Sequence, residues 1–421
     1  MSFIQNSLNS EINNEIDTIV QNYISLDLIS KDKLFDNVFF NEFLQHIHYC
    51  ILTLPNYSNQ IDNTNFNSTL DNLISEYLVK YSNIVIPVFN QSHSNYLSSK
   101  IKYLEKVPQP EQRTPEWYTF RNNRLTASDF QSVIDEYDKL SKPKYKPSAK
   151  FRELIAKKCG VEIPFIKGAA INHGIKFEPI ATSIYESRNN ITVLEFGCLP
   201  HQHIPFFGAS PDGIVSNNSK NQEYVGRMLE IKCPKSRPIT GVIPKGYYSQ
   251  MQGQLEVCDL EYCDFLECDF QFYPDDDAFF KDIGDIQPEY DNSLHYVKNK
   301  QNKEIGCILE LFDTKLQKSH YHYATADLFR DRDTFKDWEQ KHIEKVFKNT
   351  HIEYIGTLFW YINKYNVVLV KRAREWFNNN YIKIEYFWEN VKKYRENGNA
   401  KSLVSKKKYE PYKQNEVDFI N

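Results

Sequence analysis

At 421 residues the chain is long enough for one large domain or two to three ordinary ones, with a sizeable buried core. Its 41% hydrophobic and 25% charged residues are those of an ordinary globular protein, and no apolar run approaches the roughly 18 to 20 residues of a membrane span, which argues against a membrane helix. The net charge of −4 conceals an asymmetry: residues 1–107 carry 11 acidic and 6 basic side chains, whereas residues 361–421 carry 7 and 13. The N-terminus lacks the basic and apolar regions of a secretory signal, and eight scattered cysteines without a CxxC pair suit reduced thiols, so an intracellular protein is expected.

In chain order, residues 1–107 read as an added, mainly helical domain: Ile12, Ile16, Ile19, Val20 and Tyr23 recur at helical spacing, with Asn/Ser-rich breaks between helices. KVPQPEQRTPEW holds three prolines and reads as a linker, placing a boundary near residue 108. Helices are expected at Glu116–Asn123 and Ala127–Tyr137, then a lysine-rich loop, a helix ending near Gly160, and a helix from Asn172 to Asn189. Strands follow around Val193–Phe196, Phe206–Val215 and Arg227–Cys233, then a helix near Tyr247–Val257 and a strand at Cys263–Phe272. Residues 274–300 read as irregular, within an insertion spanning about 274–350 that also holds strands near Cys307–Phe312 and His320–Thr325 and a helix at Thr334–Phe347. A strand ending at Arg372 and a last amphipathic helix complete a domain over 108–397, and 398–421 is a basic tail. Its Lys406-Lys407-Lys408 run reads as a solvated surface, a targeting signal or an attractor of phosphate backbone.

The most informative fragment is MLEIKCP, in which Leu229, Ile231 and Cys233 alternate with Glu230 and Lys232, so that the carboxylate and the ammonium share one strand face about 7 Å apart. An ExK triplet alone is a common surface pair. Here it follows FFGASPDGIV, whose Ser210-Pro211-Asp212-Gly213 turn fixes Asp212 beside a hairpin, so two carboxylates can converge. Hard cations such as magnesium need only one or two protein carboxylates besides water and substrate phosphate, and suit phosphodiester hydrolysis. Lys232 would then hold the attacking water or the phosphate. Glu178, in NHGIKFEPIA, is a candidate third ligand; the alternative is an exposed glutamate at a helix start, with Pro179 at a first helical position. Tyr247, Gln250 and Gln254 fall on one helical face, where neutral groups can orient water or phosphate.

In order and spacing, RTPEWYTFRNNRLTAS, NHGIKFEPIA, FGASPDGI, LEIKCP and YYSQMQ resemble the lambda-exonuclease, or YqaJ-type viral recombinase, branch of the restriction-endonuclease-like PD-(D/E)xK nucleases. The likeness spans about residues 113–272, and the enlargement on either side is similar to versions from large DNA viruses of eukaryotes. It implies an α+β fold with a mixed central sheet flanked by helices, and a magnesium-dependent deoxyribonuclease, with manganese as a substitute, that degrades one strand of duplex DNA from its 5′ end. Asp212, Glu230 and the Ile231 carbonyl match the metal ligands, Glu178 the helix carboxylate, Lys232 the catalytic lysine, and Gln250 with Tyr247 the following helix. Arg121, Thr126 and Ser128 match the residues that hold a terminal 5′-phosphate, a fitting task for a guanidinium fork and hydroxyls near a helix start. Asn123-Arg124 departs from the glycine of the bacteriophage enzyme, so the path of this loop is not carried over.

The partners implied are duplex DNA ends, with a strand-annealing protein and a homo-oligomer left open, in the host cytoplasm or nucleus if the protein is viral. An endonuclease or 3′-directed enzyme on the same fold, and a non-catalytic DNA-binding protein, are the alternatives. Cysteines 258, 263 and 268 lack the spacing of an iron–sulfur site, so no cluster is expected, and His201 and His203 read as structural or surface residues.

Overall fold

Alternation of apolar and polar side chains makes Met228–Lys232 (β6) a strand with two unlike faces, and both faces are covered. The computed structural model describes residues 11–20, 37–57, 63–64, 66–67, 69–74, 91–110, 114–163, 168–284, 293–348 and 350–404. It divides the chain into two units, 1–95 and 96–421. In the first unit residues 11–20 and Asn37–Thr53 are helical, and Ile12, Ile16 and Val20 of the one and Phe43, Ile47 and Ile51 of the other, each four residues apart, are buried together. The Lys406-Lys407-Lys408 run lies outside the described residues.

The second unit begins within helix Gln91–Lys106 (α1) and continues with Pro115–Asn122 (α2), whose first turn is capped by Thr114 accepting from the Trp117 N–H. The short strand Leu125–Thr126 (β1) follows, then a 3-10 turn at Ala127–Asp129 and Phe130–Tyr137 (α3) where a single helix is expected. Ala149–Lys158 (α4) and Ala169–Asn189 (α5) come next. Pro179 lies inside α5, so Glu178 sits in mid-helix and not at a helix start.

Strands Val193–Leu194 (β2), Leu199–Pro200 (β3), Phe207–Ala209 (β4) and Gly213–Val215 (β5) precede β6. The single strand expected over Phe206–Val215 is therefore two. β4 belongs to a small sheet ordered β1-β4-β3 and β5 to the large one, because the chain turns out of its plane at Ser210-Pro211, where proline offers no N–H to a ladder.

Beyond β6 come Lys245–Cys258 (α6), Tyr262–Phe272 (β7), Asp276–Asp282 (α7), Val297–Lys298 (β8), Glu304–Asp313 (β9), Lys318–Tyr323 (β10), Arg332–Phe347 (α8), Ile352–Lys371 (β11) and Arg374–Glu396 (α9). The large sheet runs β10-β9-β11-β7-β6-β5-β2, with β8 paired to β9. It is mixed: β6 lies parallel to β7, with Glu230 opposite Phe265, and antiparallel to β5, with Leu229 opposite Gly213. The stretch expected to be irregular, 274–300, contains α7, and the strand expected near Cys307–Phe312 is β9, which pairs along β11 and so joins the 274–350 segment to this sheet.

Leu229, Ile231 and Cys233 pack with Phe177, Ile180, Ala181 and Ile184 of α5 in the main core, while the opposite face of β6 meets α6. No helix among the described residues is long and apolar enough to cross a membrane.

Candidate active site

Asp212 is placed by the residue that follows it. A Cβ built on Gly213 would overlap Val193 Cγ1, so any larger residue would force Val193 aside where β5 closes against β2. β5 pairs with β6 only as far as Gly213–Leu229, and past that point the carboxylate of Asp212 replaces the missing strand: its Oδ2 accepts from the Ile231 N–H at 2.7 Å. The N–H and C=O of one strand residue face the same edge, so the Ile231 carbonyl is directed to the Asp212 side.

Glu230 and Lys232 share the other face of β6 and form an ion pair, as the alternation of MLEIK requires. Glu230 is fully buried. Its Oε1 also accepts from Gln250 Nε2 at 2.6 Å and its Oε2 from Gln254 Nε2 at 2.7 Å, both from α6. Gln254 Nε2 donates again to the Ser210 carbonyl, at 3.1 Å, and so joins Glu230 to the segment that carries Asp212. The Lys232 ammonium lies 5.1 Å from the centre of the Tyr247 ring. Glu178 approaches from α5, and its charge is felt by Asp212, Cys233 and Tyr323.

Burial raises the Asp212 carboxyl well above the usual carboxylate range, and the neighbouring charges of Glu230 and Glu178 add to this, against the opposing effect of Lys232. Burial alone would lower the Lys232 ammonium, but the charges of Glu230 and Asp212 outweigh it and hold the group above the ordinary lysine range. Lys232 therefore stays cationic.

No group of three His, Cys, Asp or Glu side chains among the described residues forms a ready-made metal site. The donor set nonetheless fits a hard cation. An ionised carboxylate offers about four lone-pair sites; the contacts above occupy three on Glu230 and one on Asp212. A buried carboxyl raised by the negative charge of its neighbours, as Asp212 is, is also what a divalent charge relieves.

A second group forms around Arg121. Its guanidinium stacks 4.4 Å from the Trp117 ring and donates to Thr126 Oγ1 at 3.4 Å. Thr126 is buried, donates to Asp129 Oδ2 at 3.1 Å and lies 3.2 Å from the hydroxyl of Ser128, which is exposed. The two groups share one support: a Cβ on Gly253 of α6 would meet Ala127 Cβ at 3.0 Å and Phe207 Cζ at 3.1 Å, so α6 seats directly on the turn between Thr126 and Ser128 while Gln250 and Gln254 face Glu230.

Gln254 takes a part that only its spacing from Gln250 hinted at. Glu267 and Arg237 had no such signal: Glu267 is buried on β7, opposite Lys232 in register, and pairs with Arg237, whose guanidinium lies 5.7 Å from Tyr247. Cysteines 258, 263 and 268 are buried and unbridged, and His201 Nδ1 accepts from the N–H groups of His203 and Ile204 at 3.0 Å each.

Residues 116–261, which hold Arg121, Thr126, Ser128, Glu178, Asp212, Glu230, Lys232, Tyr247, Gln250 and Gln254, match the family model of the YqaJ-like viral recombinase domain. Over this stretch the chain is similar to that domain, and the matched residues make up about a third of its length. A protein of Acanthamoeba polyphaga mimivirus is 30% identical over 332 residues, a match that takes in 73% of this chain and 57% of that protein. Among solved structures, an alkaline exonuclease (LHK-Exo) from Laribacter hongkongensis is 18% identical, with 69% of this chain and 98% of that chain covered at a TM-score of 0.37. A phage-related exonuclease from Haemophilus somnus is 11% identical, with 66% and 96% covered at a TM-score of 0.34. The matched stretch begins on α2 and ends just before β7, so β7, β9, β10 and β11 extend the sheet beyond the matched residues.

Proposed function

We propose that this protein is a divalent-metal-dependent exonuclease that resects one strand of linear duplex DNA from the 5′ end, leaving 3′ overhangs for recombination, repair or replication. The observation that carries the reading is the convergence of Asp212, Glu230 and Lys232 on one edge and face of β6, inside a YqaJ-like domain. Asp212, Glu230 and the Ile231 carbonyl would hold the cation, magnesium or manganese, with Glu178 from α5 as an outer carboxylate. Bound there, the cation would supply Lewis-acid charge to the scissile phosphate.

The chain's own residues do the rest. Gln250 and Gln254 fix the orientation of Glu230, and the Ile231 N–H fixes that of Asp212. Lys232, kept protonated, pulls on the phosphate or orients the incoming water, and Tyr247 limits the space open to its ammonium. Arg121 and Ser128 present donors that suit a terminal phosphate, with Thr126 holding both, and this supports the 5′ direction. On this reading 108–397 is the nuclease domain and 1–107 an addition to it.

Full-length protein with magnesium should shorten end-labelled linear duplex from the 5′ label and leave covalently closed circles intact. Asp212→Ala combined with Lys232→Ala should abolish the activity; an equally active double variant refutes the site, and nicking of closed circles refutes the exonuclease reading.

A further inference from the structure

Lys158, the last residue of α4, is 2% exposed although it carries an ammonium group. A methionine of similar shape would fill the same space without the cost of burying a charge, so packing does not explain a lysine there. Its Nζ donates to the main-chain carbonyl of Arg121 at 3.0 Å. Its own carbonyl is held from the far side by Arg395, near the end of α9, whose Nε and Nη2 donate to it at 3.2 and 2.6 Å. The same Nη2 reaches the Asn122 carbonyl at 3.2 Å and Asn123 Oδ1 at 3.0 Å, and the guanidinium rests 5.3 Å from the Trp388 ring. The ends of α2, α4 and α9 are thus tied in one knot beneath Arg121.

Arg121 itself is half-buried, with a ring contact to Trp117 and one long bond from its guanidinium to Thr126, which leaves most of its five donors for a ligand. We propose that Lys158 is a positioning residue of the Arg121–Thr126–Ser128 pocket, fixing the backbone of Arg121 and placing a second positive charge beneath it, so that the pocket favours a dianionic terminal phosphate. This rests on the reading of that pocket as the receptor of a DNA end. Burial lowers the Lys158 ammonium to about 8; Asp129 and Cys198 oppose the change, and Arg121 and Lys157 add to it. Its charge is therefore present below about pH 8 and lost above. A terminal phosphate, with a second pKa of about 6, is already fully charged across that interval.

The test uses the full chain with magnesium on duplexes with 5′-phosphate or 5′-hydroxyl ends, and reads the ratio of kcat/KM for the two between pH 7 and 9. The wild-type ratio should fall as pH rises through about 8. Lys158→Met should lower the ratio at pH 7 roughly tenfold, as expected for one lost charge-assisted contribution, and remove its pH dependence. If Lys158→Met does not fold, the wild-type profile decides alone: a flat ratio from pH 7 to 9 overturns the proposal, as does a folded Lys158→Met with the wild-type ratio. Arg121→Ala separates the two layers. Should it abolish the preference while Lys158→Met retains it, the pocket stands and the role of Lys158 falls; should the wild type show no preference, or Arg121→Ala keep it, the pocket reading falls and Lys158 with it.

Discussion

Replacing Gln254 by leucine isolates what α6 does for Glu230. The side chain is 1% exposed, and its Nε2 makes one bond to a carboxylate oxygen and one to the Ser210 carbonyl. A hydrogen bond to a charged group contributes about 1.5–3 kcal/mol, and the Ser210 carbonyl left behind costs about 1 kcal/mol more. Against this, Gln254 Oε1 is buried without a partner among the protein atoms, so removing it recovers about 1 kcal/mol. The net loss is about 2 kcal/mol. In a unit of this size that lowers the thermal midpoint by about 3–6 °C.

Gln250→Leu is the control, because Gln250 is half-buried and its acceptor, Glu230 Oε1, keeps the ammonium of Lys232. It should cost less than about 1 kcal/mol. Loss of an outer partner of a metal-binding carboxylate typically weakens metal affinity 10–100-fold, and Gln254→Leu should show this in a magnesium titration by calorimetry. Equal midpoints for the two variants, with unchanged magnesium affinity in Gln254→Leu, would refute the view that Gln254 holds Glu230 in place.

Two further outcomes follow from the same geometry. Since burial and the charges of Glu230 and Glu178 raise the Asp212 carboxyl, the folded protein binds that proton more tightly than the unfolded chain; the stabilisation is complete at low pH and lost as pH rises through the folded value. Asp212→Asn should therefore be more stable than wild type at pH 8 in chelator, with a gap that narrows on acidification, and inactive; a lower midpoint at pH 8 would contradict this. Gly253→Ala should lose about 1–3 kcal/mol to the contacts with Ala127 and Phe207, less the gain of up to about 1 kcal/mol in helix propensity. Adding Ala127→Gly should restore part of that loss in chemical denaturation, and strictly additive effects would mean that the two residues do not meet.

Local patterns were readable in the sequence, and pairings between distant segments were not. Period-two alternation placed Glu230 and Lys232 on one face, and helical spacing put Gln250 and Gln254 together, because each is a property of a single element. The division of Phe206–Val215 between two sheets escaped, since a proline in a short strand marks a break without saying where the chain goes next. The joining of β8 to β10 onto the central sheet depends on β11, some forty residues later in the chain. Lys158 was invisible for a different reason: a lysine in the last turn of a helix normally reads as a solvated complement to the helix dipole, and only the fold shows it enclosed.

A helix that grips Glu230 through two amides and, with no side chain between, lies flat on the turn that bears Thr126 and Ser128 acts as a gauge block. On the proposed reading, the separation between the bond that is cut and the end that is held would be machined into the fold and would not depend on the nucleotide sequence. The increment removed at each cycle would then be a constant of the protein, and shimming that single contact by one methyl group would change the size of the product as well as the rate at which it leaves.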